Sequence, residues 1–244
     1  MPQVLTVHSY RGGTGKSSVA ANLSVLLAKE GCRVAVLDAD IHAPSLDTIF
    51  GINPGPGACS LVDYLVGECE IEDAVFPLEP PGLFAVVART SVASINALTT
   101  SGYDVGLLSE GYLRLIGAFG LDLLILDTRT GLCPETVTAM ASCDRLIVVS
   151  RADRLALVGA SETMALTNRL GCSERALVVN MAPDGQIGED FRRRLEDLHG
   201  CPIEAILPYE PLLAAHDGEG LFVTAHPNHP LVTGFRRIIS AVIK

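Results

Sequence analysis

Arg11-Gly12-Gly13-Thr14-Gly15-Lys16-Ser17-Ser18 is the stretch on which the reading of this chain turns. It follows a short apolar run, Val4–His8, and opens a helical pattern over Lys16–Glu30, so it lies where a strand gives way to a helix. Three glycines let the main chain curl until successive N–H groups point at one anion. The helix behind them adds its N-terminal partial positive charge. Lys16 can reach the β- and γ-phosphates of a nucleotide, and the Ser17 hydroxyl is placed to ligate Mg²⁺. The standard spacing, G-x-x-x-x-G-K-[ST], asks for a glycine at position 10, where this chain has Tyr10. A glycine turn with an incidental lysine is the plainer alternative. Strand, glycines, Lys-Ser and helix all in register argue against it.

The pattern around the loop repeats that alternation. Strands are predicted at Val4–His8, Arg33–Asp38, Leu83–Ala88, Leu121–Asp127, Arg145–Ser150, Ala176–Asn180 and Pro202–Leu207. Helices are predicted at Lys16–Glu30, Leu107–Phe119, Pro134–Cys143, Leu155–Leu170, Glu189–His199 and Pro230–Ile243. Runs such as Leu123-Leu124-Ile125-Leu126 are apolar on both faces, as strands covered on two sides must be. The expectation is an α/β fold in three layers, a mostly parallel sheet with helices on both faces. No linker or repeat interrupts it, so residues 1–244 read as a single domain.

Composition narrows the setting. With 18 Lys+Arg against 28 Asp+Glu the formal net charge is −10, and 48% of residues are apolar. That excludes a disordered or collagen-like chain. It also predicts repulsion from DNA phosphates and anionic bilayers wherever no local basic patch reverses the field. No apolar run approaches the roughly 18 residues of a membrane span. Met1-Pro2-Gln3 carries no charged leader. A soluble, cytoplasmic protein is expected. The seven cysteines include no C-x-x-C pair, so reduced, inert thiols are expected.

The motifs resemble a known family. R-G-G-T-G-K-S-S at 11–18 is similar to the deviant Walker A sequence, K-G-G-x-G-K-[ST]-[ST], of the MinD/ParA ATPases. V-L-D-A-D at 36–40, with L-D at 46–47 and F-G at 50–51, resembles their switch I. L-L-I-L-D-T at 123–128 resembles the switch II strand and Walker B aspartate. V-V-N at 178–180 and L-P-Y at 207–209 resemble the nucleotide-base segments. The resemblance implies a P-loop NTPase fold, an ATP-dependent homodimer, slow hydrolysis stimulated by an activating or cargo protein not yet identified, and work in positioning or partitioning that cargo.

It also implies roles. Gly12, Gly13, Thr14, Gly15, Lys16, Ser17 and Ser18 would hold ATP, with Ser17, Asp38 and Asp127 around Mg²⁺ and Asp40 orienting the attacking water. A carboxylate buried after Leu-Ile-Leu demands a cation nearby, which agrees with that place for Asp127. A strand-end aspartate such as Asp38 or Asp40 is also an ordinary turn cap. Arg11 stands where the family has a lysine that reaches the partner's phosphates; a forked, permanently charged guanidinium suits that task, or Arg11 flanks the loop. Thr128-Arg129-Thr130-Gly131 replaces the family's T-P-P-G; Arg129 is a cation whose role the pattern leaves open. The guanine motif N-K-x-D is out of register in Asn180-Met181-Ala182-Pro183-Asp184. Asn180 alone can pair with an adenine edge, and Pro208 and Tyr209 would flank the base, so ATP is expected over GTP.

Other features read more plainly. Cys133 lies where iron–sulfur relatives carry a cluster ligand, but no second cysteine accompanies it between positions 82 and 132. His226-Pro227-Asn228-His229 reads as a turn. Arg192-Arg193-Arg194 is the one candidate nucleic-acid patch and otherwise a solvated helix face. Leu231, Val232, Phe235, Ile238, Ile239 and Val242 follow helical spacing and read as core packing; in the family comparison a membrane-targeting tail would follow this helix, and none is expected here. Two other functions fit the loop: an ATPase for metal-cofactor maturation, or a nucleotide-holding scaffold with little hydrolysis.

Overall fold

The computed structural model describes residues 2–55, 57–88, 98, 102–215 and 221–242. Among them one sheet holds eight strands: β1 Gln3–His8, β2 Val34–Asp38, β3 Val75–Leu78, β4 Leu83–Val86, β5 Leu123–Asp127, β6 Arg145–Arg151, β7 Glu174–Ala182 and β8 Ile203–Pro208. The long helices are α1 Lys16–Lys29, α4 Gly106–Phe119, α5 Pro134–Ala141, α6 Arg154–Arg169, α7 Glu189–His199 and α10 Pro230–Val242. Short helical turns fill the connections: α2 Leu46–Phe50, α3 Leu61–Leu65, α8 Pro211–Ala215 and α9 Phe222–Ala225. The last predicted helix was expected to reach Ile243, which with Lys244 lies outside the described residues.

The strand order is β3-β4-β2-β5-β1-β6-β7-β8, parallel except for the β3–β4 pair. β3 was not expected. Pro77 interrupts its four residues, and proline is tolerated in a sheet only where its missing N–H faces no partner. At the sheet edge, antiparallel to β4, it meets that condition.

Period two sorts each strand between two cores. Leu5, Val7, Val34, Val36, Leu123 and Ile125 pack with α1 and α10 on one face. Val4, Ala35, Leu37, Leu124 and Leu126 pack with α3 and α4 on the other. Leu146, Val148, Leu177 and Val179 extend that second face under α6 and α7. Leu231, Val232, Phe235, Ile238 and Ile239 of α10 are buried in the first core, so the apolar stripe of that helix is spent inside the fold. No helix among the described residues is long and apolar enough to cross a membrane.

The same parity places chemistry. Asp38 and Asp127 stand in register at the ends of adjacent strands, in phase with the residues that face α1. The helix that begins with Lys16 therefore starts over both carboxylates. β1 pairs with β5 on one side and β6 on the other; the crossover from β1 runs one way, to β2, and that from β5 runs the other, to β6, the place where open parallel sheets form a crevice beyond their strand ends.

Candidate functional site

Gly15 sets the turn from loop to helix. Its φ is 78°, a left-handed conformation that costs a residue with a side chain, and a methyl group there would lie 2.5 Å from the Asn180 Nδ2 atom. Asn180, buried on β7, donates from that amide nitrogen to the Thr14 carbonyl at 2.8 Å. The residue expected at the base thus also braces the phosphate loop. Met181, next in the chain, is the one non-glycine among the described residues with positive φ, 56°. Tyr209 follows the end of β8, exposed, its N–H bonded to the Ala182 carbonyl at 3.0 Å.

The Lys16 ammonium is buried and forms an ion pair with Asp127 Oδ1; it also donates to Ser17 Oγ at 3.2 Å. The cation demanded by a carboxylate inside Leu-Ile-Leu is therefore Lys16. Burial raises the Asp127 carboxyl above the ordinary carboxylate range, and the ammonium opposes that rise. Asp127 Oδ2 is buried without a hydrogen-bond partner, as is Thr14 Oγ1. An orphaned carboxylate oxygen next to a hydroxyl and an ammonium is a donor set suited to a hard cation and a phosphate.

Asp38 is engaged differently. Its Oδ2 accepts the N–H groups of Ser45 at 2.8 Å and Leu46 at 3.0 Å, and its Oδ1 accepts that of Asp40 at 3.0 Å. It holds the 38–46 loop and the first turn of α2 in place. Burial and the neighbouring Asp127 push its carboxyl up to about 7. Asp40, half-buried, closes a turn by accepting His42 N–H at 3.2 Å and Ala43 N–H at 3.0 Å through Oδ1. Arg11 is exposed at the outer side of the loop, and Arg129 is half-buried with its carbonyl accepting the Thr136 hydroxyl at 3.3 Å.

A contact absent from the motif reading lies beneath. His8 ends β1 fully buried, its Nδ1 2.8 Å from Thr128 Oγ1, while that hydroxyl donates to the Val7 carbonyl at 3.2 Å. The shared hydroxyl leaves Nδ1 as the donor. Nε2 is buried without a partner. Burial, with Lys16 nearby, lowers the imidazole pKa to about 3, so the ring is neutral at ordinary pH. A histidine closing an apolar strand beside the glycine loop was the only sequence signal for it.

The remaining candidates are occupied locally. Cys133 caps α5, its Sγ 3.1 Å from Thr136 Oγ1. His229 accepts Leu231 N–H at 3.2 Å and lies 3.4 Å from Glu210, and both His226 and His229 pack on Phe222. On α7, Arg192 faces Glu189 and Arg193 faces Asp190, while Arg194 bonds the Asp190 carbonyl. Glu196 and Asp197 follow, so four acids offset three arginines on that helix. The cysteines are free, yet Cys143 and Cys172 bring their sulfurs to 3.5 Å.

Comparison with known proteins gives a consistent result. The ParA family, described as NUBPL iron-transfer P-loop NTPase, matches residues 1–243. An uncharacterised ATP-binding protein of Methanocaldococcus jannaschii is 31% identical, covering 100% of this chain and 88% of that protein. The flagellum site-determining protein YlxH of Helicobacter pylori is 27% identical over 78% of this chain and 62% of its own length. The septum site-determining protein MinD from Pyrococcus horikoshii, in complex with Mg-ADP, superposes with a TM-score of 0.87 at 23% identity, covering 100% of this chain and 97% of that one.

Proposed function

The chain belongs to the ParA family of P-loop NTPases, and on that premise we propose that it binds Mg·ATP, pairs with a second copy of itself, and uses hydrolysis as a switch in positioning or partitioning a cellular cargo. The observation that carries this reading is the buried Lys16–Asp127 pair at the mouth of a glycine loop. Two charges so deep in a protein are costly to desolvate, and Asp127 Oδ2 has no hydrogen bond to offset that cost, so the pair points to a function over a stabilising role. In this reading nucleotide binding is an exchange of partners. Lys16 would turn from Asp127 to the phosphates, and Asp127 with Ser17 would hold Mg²⁺. Bound Mg²⁺ supplies neutralising charge to the phosphate oxygens. The N–H groups of Gly12, Gly13, Thr14 and Gly15 and the first turn of α1, with Ser18, cradle the phosphates. Asp38 shapes the loop that carries Asp40, and Asp40 orients the attacking water. Arg11 serves the partner's phosphates. Asn180 offers its remaining amide proton and its oxygen to the adenine edge, beside Pro208 and Tyr209. The whole chain acts as one ATPase unit in the cytoplasm, with turnover slow until an activating or cargo protein docks.

The test is direct. ATP turnover of the purified protein, and size-exclusion chromatography with ADP against a slowly hydrolysed ATP analogue, should show hydrolysis and an analogue-dependent dimer. Lys16→Ala should lose both, and Asp40→Ala should lose turnover by about 100-fold while keeping nucleotide. Wild-type hydrolysis in either variant would overturn the assignment. Binding without turnover in the unmodified protein would leave a nucleotide-holding scaffold. The family's iron-transfer description favours one further reading, metal-cofactor maturation, to be judged by iron and sulfide retained after anaerobic reconstitution.

A further inference from the structure

Tyr10 stands where the phosphate-loop pattern has glycine, and its surroundings explain how the chain accepts it. Tyr10 is not among the residues with positive φ, so the main chain at the loop entrance has a conformation open to any L residue. What the tyrosine needs is room, and Gly159 of α6 provides it. A methyl group on Gly159 would lie 2.8 Å from Tyr10 Cβ, and closer still to Cγ and Cδ1. Of these atoms Cβ is the root of the side chain. Rotation about χ1 moves the ring and leaves Cβ where the main chain puts it, so the overlap is relieved only by shifting the loop entrance or the helix. The phenol reaches on to Glu162, one turn along α6, and that bond raises the Tyr10 pKa. On its other side the same segment meets switch II: Ser9 O accepts Gly131 N–H at 3.2 Å, and Tyr10 O lies 3.9 Å from where a Gly131 side chain would begin.

We propose that Tyr10 and Gly159 form a clasp fixing the entrance of the phosphate loop to α6, which makes Tyr10 a positioning residue for the nucleotide. The proposal rests on the nucleotide-binding reading above. Residues 11–15 leave the clasp directly, so the direction of their N–H groups depends on where Tyr10 is held. Because Gly159 is inside a helix, the clasp predicts an effect of unusual sign. Glycine to alanine in a helix interior ordinarily stabilises, through backbone entropy. Here it should destabilise, because the methyl group meets Tyr10.

The experiment is a cycle of four proteins: wild type, Gly159→Ala, Tyr10→Gly and the double variant. Each is measured for Tm without nucleotide and for affinity toward a fluorescent ADP with Mg²⁺. Gly159→Ala should lower Tm and weaken ADP binding about tenfold, an energetic coupling expected of residues in contact. The double variant, which has at position 10 the glycine of the standard phosphate-loop spacing, should recover both against Gly159→Ala. Tyr10→Phe keeps the ring over Gly159, loses only the bond to exposed Glu162, and should behave as wild type. If Gly159→Ala fails to fold, the double variant must fold. A Gly159→Ala protein as stable as wild type with unchanged affinity overturns the clasp. So does a double variant whose losses merely add, or one that fails to fold. Absence of ADP binding by the wild type would instead remove the nucleotide reading, and the Tm cycle would still decide the contact.

Discussion

Two buried groups at the strand ends titrate in opposite senses, and the consequence can be measured. His8 has its pKa lowered from 6.5 to about 3 by burial, so below pH 6.5 the unfolded chain takes up a proton that the folded one refuses. Stability from His8 is complete above pH 6.5 and is lost as pH falls toward 3. Asp38, raised from 3.8 to about 7, runs the other way: the folded state keeps a proton that the unfolded chain gives up, so its contribution is lost as pH rises through that window. Between pH 4 and 6.5 the slopes offset one another. His8→Asn, whose amide N–H stands in for Nδ1 toward Thr128, removes only the first. Relative to wild type it should gain about 2 kcal/mol on going from pH 6.5 to pH 5, read from denaturation at the two pH values. Parallel stability curves would mean that the imidazole is not held neutral. At this scale the sequence reading was partial. The phosphate loop was legible because its residues are contiguous, whereas His8 and Thr128 meet across 120 positions and leave no spacing to read.

Among the elements, α10 carries the clearest expectation. Phe235 is 1% exposed in the core shared with α1, and Phe235→Ala should cost about 3–5 kcal/mol in chemical denaturation. Leu113 on α4 is 71% exposed, and Leu113→Glu should fall within about 0.5 kcal/mol of wild type. An α10 laid on a membrane surface would invert the first result, leaving Phe235→Ala folded and equally stable. The long elements were legible because their apolar periods run unbroken: α7 matches its expected bounds, and the other predicted strands and helices differ by a few residues at their ends. β3 was hidden by Pro77, and α2 and α3, at five residues each, are too short to show a period. The Cys143–Cys172 contact was equally hidden, since helix α6 lies within the 29 positions between them.

For the whole molecule, the site is the meeting of β1, β5 and β7 with α1, so a ligand there ties the middle of the sheet to its α1 face. Mg·ADP at a hundred times its Kd should stabilise the protein by about 2.7 kcal/mol, and Lys16→Ala should abolish the shift in Tm. An equal shift in the variant would place the nucleotide elsewhere. The joint between Tyr10 and Gly159 spans 149 positions and has a consequence for chimeras. A loop borrowed from a relative with glycine at its entrance can be set into this chain, leaving a hollow over Gly159. The reverse graft carries a tyrosine onto a helix that, with any side chain at the corresponding position, has no room for it. Loop transplantation is therefore expected to work in one direction only, since a loop that brings Tyr10 requires a helix with the space Gly159 leaves.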